Sequence, residues 1–201
     1  MDLYFVPRAC SLADHIALVA ADLPHRLVRV DRTLDQDRKQ AANGRDFMTV
    51  NPKGYVPALE LDDGTVLTEN LAILVYIADL SGKLLARDGL ARYRAIEAVA
   101  FMSTELHGNF KPMFFPDATP AEKDKARQSL ARRFGTIAAQ LGDRDFLVGD
   151  TMTIADAYLY VMLTWARMFE IETAAPLERY LARMTAHPSV ATALAREGSA
   201  G

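Results

Sequence analysis

The spacing of apolar positions gives the chain two textures that meet near Ser81-Gly82. Before that point short apolar runs alternate with helical ones. Leu3-Tyr4-Phe5-Val6 reads as a short strand ended by Pro7, and residues 11–21 (SLADHIALVAA) carry apolar side chains at helical spacing. Ser11 and Asp14 form an S-x-x-D start signal for that helix. Leu27-Val28-Arg29-Val30 predicts a second strand, and the polar stretch 31–45 a loop with a short helix. Residues 57–61 and 66–68 flank Asp62-Asp63-Gly64, a hairpin signal, and residues 69–80 return to helical periodicity. The order is βαβ, a link, then ββα. The first parallel pair needs its crossover helix, and the hairpin adds antiparallel strands to the same sheet.

Beyond Gly82 the pattern is helical throughout, with helices near residues 91–110, 120–141, 154–168, 177–185 and 190–196. Gly108 and Pro112, then 116–120, then Gly142 and Gly149 punctuate them. Thr153-Ile154-Ala155-Asp156 places a capping threonine three residues before a carboxylate, just ahead of an apolar run. The expected fold class is therefore α/β plus all-α, with a small domain over 1–81 and an all-helical one over 88–201.

Composition narrows the picture. The 201 residues are 50% hydrophobic and 24% charged, an ordinary globular balance, and the net charge of −3 argues against nucleic acid as a partner. No apolar run approaches the roughly 20 residues that cross a bilayer. The N-terminus lacks the basic and apolar regions of a secretion signal, and a single cysteine excludes an internal disulfide. The expectation is a soluble, cytoplasmic protein with no membrane partner.

Four places could carry chemistry. Cys10 sits between a strand end and a helix start, where unpaired backbone N–H groups and the helix dipole favour thiolate. A buried, inert cysteine is the equal alternative. The residue three after it is Ala13, so no C-x-x-C dithiol exists. In Asn51-Pro52-Lys53-Gly54-Tyr55-Val56-Pro57 a proline opens a strand. That suits a cis Val56–Pro57 bond, with the Val56 backbone facing outward for a peptide-like ligand; an ordinary trans loop is the alternative. Thr68-Glu69-Asn70 falls at a helix start, where Asn70 could donate to a ligand carboxylate and Glu69 accept from an ammonium, or the two could simply cap the helix. His107 ends a long helix, where a structural role is commoner. His15, His25 and His187 make no metal-ligand spacing, so no metal is expected.

The runs LYFVPRACSLADHIAL, NPKGYVPALELDDGTVLTEN, YRAIEAVAFMSTELH and GDTMTIADAYLYVMLTWA resemble bacterial glutathione transferases of the beta class, in the right order over essentially the whole chain. The resemblance implies a thioredoxin-like N-terminal domain, an all-helical C-terminal domain and a homodimer. It implies that Cys10 contacts the glutathione sulfur and can form a mixed disulfide with it. Val56, preceding a cis Pro57, would pair with the tripeptide, and Lys53, Glu69 and Asn70 would lie at the glutathione site, the last two at the γ-glutamyl end. His107 would reach the ligand as a second catalytic position. Phe110, Tyr158 and Trp165 would line the pocket for the second substrate; helix core is as good a reading of Tyr158 and Trp165. Three departures stand out: Gly108 where a lysine is usual, Asn70 where serine or glycine is usual, and a longer 31–47 loop with only Arg38 and Lys39 near a ligand-binding lysine's place.

The activity implied is conjugation of glutathione thiolate to small hydrophobic electrophiles, a detoxification chemistry with glutathione as co-substrate. Cys10 either stays neutral and donates a hydrogen bond or acts covalently in thiol–disulfide exchange. A glutathione-dependent dehalogenase, isomerase or reductase would share the site. The alternative from another class is a non-catalytic ligand-binding or protein-interaction module on the same fold.

Overall fold

The computed structural model describes residues 1–31 and 39–199. Two compact units divide the chain. One is Met1–Leu84 together with the segment from His187 onward, the other Leu85–Ala186.

The first unit is built on a four-stranded sheet of order β2-β1-β3-β4. Its strands are β1 (Asp2–Phe5), β2 (Arg26–Arg29), β3 (Ala58–Glu60) and β4 (Val66–Thr68). β1 runs parallel to β2 through the crossover helix α1 (Ser11–Ala20) and antiparallel to β3, which pairs antiparallel with β4 across the Asp63-Gly64 turn. This is the topology that the apolar pattern predicts. Both early strands start one residue sooner than read from the sequence. Val30 leaves β2 to bridge Ala41 instead.

The strand alternation puts Tyr4, Val28 and Ala58 on one face, packed with Val30, Ala41, Val50 and Phe47. The Tyr4 and Phe47 rings lie 5.7 Å apart. Burying side chains of this size stabilises by roughly 1.5–3 kcal/mol each. Leu3, Phe5 and Leu59 turn to the opposite face and are fully buried. The expected helix within 31–45 is not found among the described residues of that stretch; a four-residue helix α2 (Phe47–Val50) follows it, capped by the Asp46 carboxylate accepting from the Met48 N–H. Residues 32–38, Arg38 among them, lie outside the described residues. Helix α3 (Asn70–Ser81) closes the α/β part and ends at Gly82, whose φ of 69° needs the freedom of glycine.

The second unit holds α4 (Gly89–Phe101), a π-helical stretch Met102–His107, α5 (Gly108–Phe114), α6 (Pro120–Leu141), α7 (Ile154–Met168) and α8 (Ala175–Thr185). The punctuation read at Gly108 and Pro112 does not break the chain, which stays helical to Phe114. Gly108 keeps ordinary helical angles, and Pro112 removes one N–H from a helix already in its last turn. Thr119 and Thr153 each close a full capping box, with Glu122 and Asp156. Helix α9 (Pro188–Ser199), in the first unit, packs along α1. Among the described residues no helix is long and apolar enough to cross a membrane.

Candidate functional site

The loop from β1 to α1 is tight. Arg8 takes a left-handed φ of 62°, Ala9 N–H donates to the Val6 carbonyl at 3.0 Å, and the Ser11 hydroxyl bonds back to Val6. Cys10 becomes the residue before the first turn of α1, and no side chain caps that turn. The S-x-x-D box predicted from Ser11 and Asp14 therefore does not form. Ser11 is spent on closing the loop, and Asp14 points into the unit.

Cys10 is buried, and its thiol donates to the Val56 carbonyl with Sγ 3.4 Å from the oxygen. Val56 precedes Pro57 across a cis peptide bond, as predicted. Asn51 holds this turn: its amide donates to the Tyr55 carbonyl at 2.7 Å and its side-chain oxygen accepts from the Lys53 N–H. Lys39 donates to the Gly54 carbonyl beside it.

At Cys10 the proton balance favours the second of the two equal readings, a buried neutral thiol. Burial pushes the thiol up from 9.0 to about 12; Asp14 and Glu69 add to that, and the N–H groups of Ser11 and Cys10 oppose it without prevailing. Desolvation outweighs the helix start. The Asn70 side chain is committed to the protein. Its side-chain amide donates to the Cys10 carbonyl at 2.9 Å and to the Asp14 carboxylate at 2.7 Å, so both hydrogens are committed inside the unit and none is left for a ligand. Asn70 fixes the backbone under the thiol. Burial pushes the Asp14 carboxyl well above the usual carboxylate range, although Asn70 pulls the other way.

Glu69 precedes α3 with a left-handed φ of 77°, and its half-exposed carboxylate pairs with Lys53 at 2.5 Å. Lys53 also donates to Thr68 Oγ1 at 3.0 Å. The first unit thus brings together Cys10, Val56, Pro57 and Asn70 around the thiol, and Lys53 with Glu69 at the head of α3.

Sequence reasoning missed two supports. Asp14 carries the letters of a helix start but turns inward to Asn70, and Glu197 lies in α9 far along the chain. The buried Glu197 carboxylate accepts from the Arg8 N–H at 3.3 Å and meets His15 Nδ1 at 3.3 Å. A carboxylate on the apolar side of a short helix is the one signal that points to it.

In the second unit the π-helical stretch ends at His107. Its Nδ1 lies 2.7 Å from the Tyr158 hydroxyl, and its ring meets Trp165 edge-on at 5.0 Å. Phe110 stacks edge-on with Trp165 at 5.4 Å, and Phe114 and Phe169 complete the cluster. His107, Phe110, Tyr158 and Trp165 are thus one group of neighbouring side chains. Phe114 and Phe169 were missed, although each lies four residues after an aromatic member on the same helix face. A cavity of about 550 Å³ between α4 and α6, with Arg94, Phe101, Gln140 and Leu147 in its wall, holds none of the expected residues. Among the described residues no cluster of three or more His, Cys, Asp or Glu could hold a metal.

The family model for the glutathione S-transferase N-terminal domain matches residues 9–80, and that for the C-terminal domain matches residues 101–188. Glutathione S-transferase GstA of Escherichia coli O157:H7 is 40% identical, over 98% of this chain and 99% of its own. A sphingomonad glutathione S-transferase complexed with glutathione superposes with a TM-score of 0.90 at 41% identity, over 100% of both chains. The bacterial beta class glutathione S-transferase of Sphingomonas chungbukensis gives 0.90 at 41%, over 98% of this chain and 99% of that one. With a thiol at the head of α1, a cis-proline edge beside it and this likeness along its full length, the chain belongs to the glutathione S-transferase family, and its kin are of the bacterial beta class.

Proposed function

We propose that the protein conjugates glutathione to small hydrophobic electrophiles. The observation that carries the reading is the Cys10 thiol set against the Val56 carbonyl just before the cis Pro57. That places a sulfur-binding corner beside a strand edge able to pair with a tripeptide backbone. The first N–H groups of α3 have no acceptor within the helix and suit the γ-glutamyl carboxylate; Glu69, which now pairs Lys53, takes the ammonium. The Asn70 side chain positions Cys10, and its backbone N–H is one of those at the head of α3. His107 is the second catalytic position, and the rings of Phe110, Tyr158 and Trp165 serve the electrophile half of the reaction. The first unit is the glutathione-binding body, and the protein works as a cytoplasmic homodimer, in line with its family resemblance.

Between the two roles open to Cys10, its pKa of about 12 supports the neutral one. A neutral thiol does not repel the glutathione thiolate and can turn its S–H from Val56 toward it. The N–H groups at the head of α1 add to the stabilisation of that anion. Covalent exchange would need a Cys10 thiolate, which burial opposes.

Calorimetric titration of glutathione into wild type and Glu69→Gln, with aryl halide turnover alongside, tests the reading. The variant should bind roughly tenfold more weakly, about 1.4 kcal/mol. No binding to wild type at millimolar glutathione would overturn it.

A further inference from the structure

One helical turn beyond Cys10, α1 buries a carboxyl completely. Asp14 lies four residues on, and that spacing puts the two side chains on one face of the helix. Asp14 Oδ2 accepts from the Asn70 side chain at 2.7 Å, and the same amide donates to the Cys10 carbonyl at 2.9 Å. Asp14 Oδ1 has no partner among the described residues. The buried carboxyl of Asp156 receives four donors, whereas Asp14 receives a single side-chain donor. The charged groups of the elements packed on α1 are otherwise engaged: Glu197 of α9 with His15, Glu69 at the head of α3 with Lys53, and Asp2 of β1 with Arg26. Among the described residues neither these nor Arg196 of α9 bond to Asp14. A carboxylate with so little compensation is costly in an apolar core, so the place favours the neutral acid. Burial accordingly pushes the Asp14 carboxyl well above the usual carboxylate range.

We propose that Asp14 is a positioning residue of the thiol corner that works in its protonated form. Bonded to Asn70, and through Asn70 to the Cys10 backbone, it holds the corner without adding charge. When it loses its proton to solvent, a negative charge appears one turn from Cys10. That charge opposes ionisation of Cys10 and opposes any anionic sulfur brought to the corner. The second effect rests on the glutathione reading; the first does not.

Infrared difference spectroscopy of the ligand-free, full-length protein against Asp14→Asn reads the acid directly. At neutral pH wild type should show a protonated carboxyl that the variant lacks; an ionised one overturns the proposal. Iodoacetamide labelling of Cys10 against pH reads the effect on the sulfur. The wild-type rate should level off as Asp14 ionises while that of Asp14→Asn keeps rising, so that the variant labels about tenfold faster at the alkaline end. Parallel profiles overturn the proposal, since a merely structural Asp14 shifts both ends alike. With glutathione in the calorimeter, wild type should lose roughly tenfold more affinity than Asp14→Asn between neutral and alkaline pH. Equal losses overturn the role in binding. No binding to wild type overturns the glutathione reading instead, and the infrared and labelling outcomes still decide Asp14. Asp14→Ser, also uncharged, takes the same tests if the amide variant does not fold.

Discussion

Two helices begin with nearly the same four letters, Ser11-Leu-Ala-Asp14 and Thr153-Ile-Ala-Asp156, and the structure uses them in opposite ways. At α7 the motif closes on itself. Asp156 Oδ1 accepts from the Leu147 N–H and the Tyr180 hydroxyl, and Oδ2 from the Thr153 N–H and hydroxyl, all at 2.8–2.9 Å. At α1 the serine closes a loop, the aspartate turns inward to Asn70, and the first turn stays without a side-chain cap. The closed start is a structural joint. The open start carries the thiol, and the Ser11 and Cys10 N–H groups lie at its sulfur. At α1 the Ala9 and Cys10 carbonyls take the Leu12 and Ala13 N–H groups that a capping side chain would otherwise accept from.

The comparison can be broken in four ways, the greatest first. An open helix start that won against desolvation would make Cys10 reactive. Instead the rise from 9.0 to about 12 leaves roughly a thousandfold less thiolate, so iodoacetamide should label ligand-free Cys10 about that much more slowly than a free thiol. Labelling at a free-thiol rate would put the dipole ahead of burial.

At the closed start, Asp156→Asn turns an NH₂ toward an oxygen's donors and should cost about 3 kcal/mol by urea denaturation. A cost under about 1 kcal/mol would mean the box is not a joint. Thr153→Ala, which removes the cap alone, should cost about 1 kcal/mol in the same assay.

Asp14→Asn should cost the least, under about 1 kcal/mol, because Asn70 can still donate to an amide oxygen. Its pH dependence has a definite sign. The folded carboxyl lies well above 3.8, so the folded state holds that proton more tightly. Wild-type stability from this group is full below pH 3.8 and is lost as pH climbs through the folded value. The variant lacks this loss and should gain on wild type as pH rises; a widening deficit would reverse the assignment.

The fold was readable because it follows from spacing. Alternation set the strand faces, Asp63-Gly64 set the hairpin, and a proline opening a strand pointed to the cis bond. The twin start signals were not separable by sequence, since both offer the same donors and acceptors. What tells them apart is Asn70, which lies 56 residues from Asp14 and competes for its carboxylate. Asn70 itself was read as facing a ligand, and only the packing of α3 beside α1 shows it facing Cys10. The thiol's proton state was hidden for a related reason. A helix start is visible in letters, whereas the burial that outweighs it is a property of the assembled core. The π-helical stretch leaves no distinct period over six residues, so His107 could be placed on a helix but not aimed.

Glu197 is tied to His15 across 182 residues of sequence and to Arg8 across 189. During synthesis, therefore, the body that carries Cys10 stays open along α1 until α9 has left the ribosome. The contiguous helical unit over Leu85–Ala186 can close in the meantime. The face of α1 that carries His15 is thus completed by residues that follow the whole helical unit in the chain.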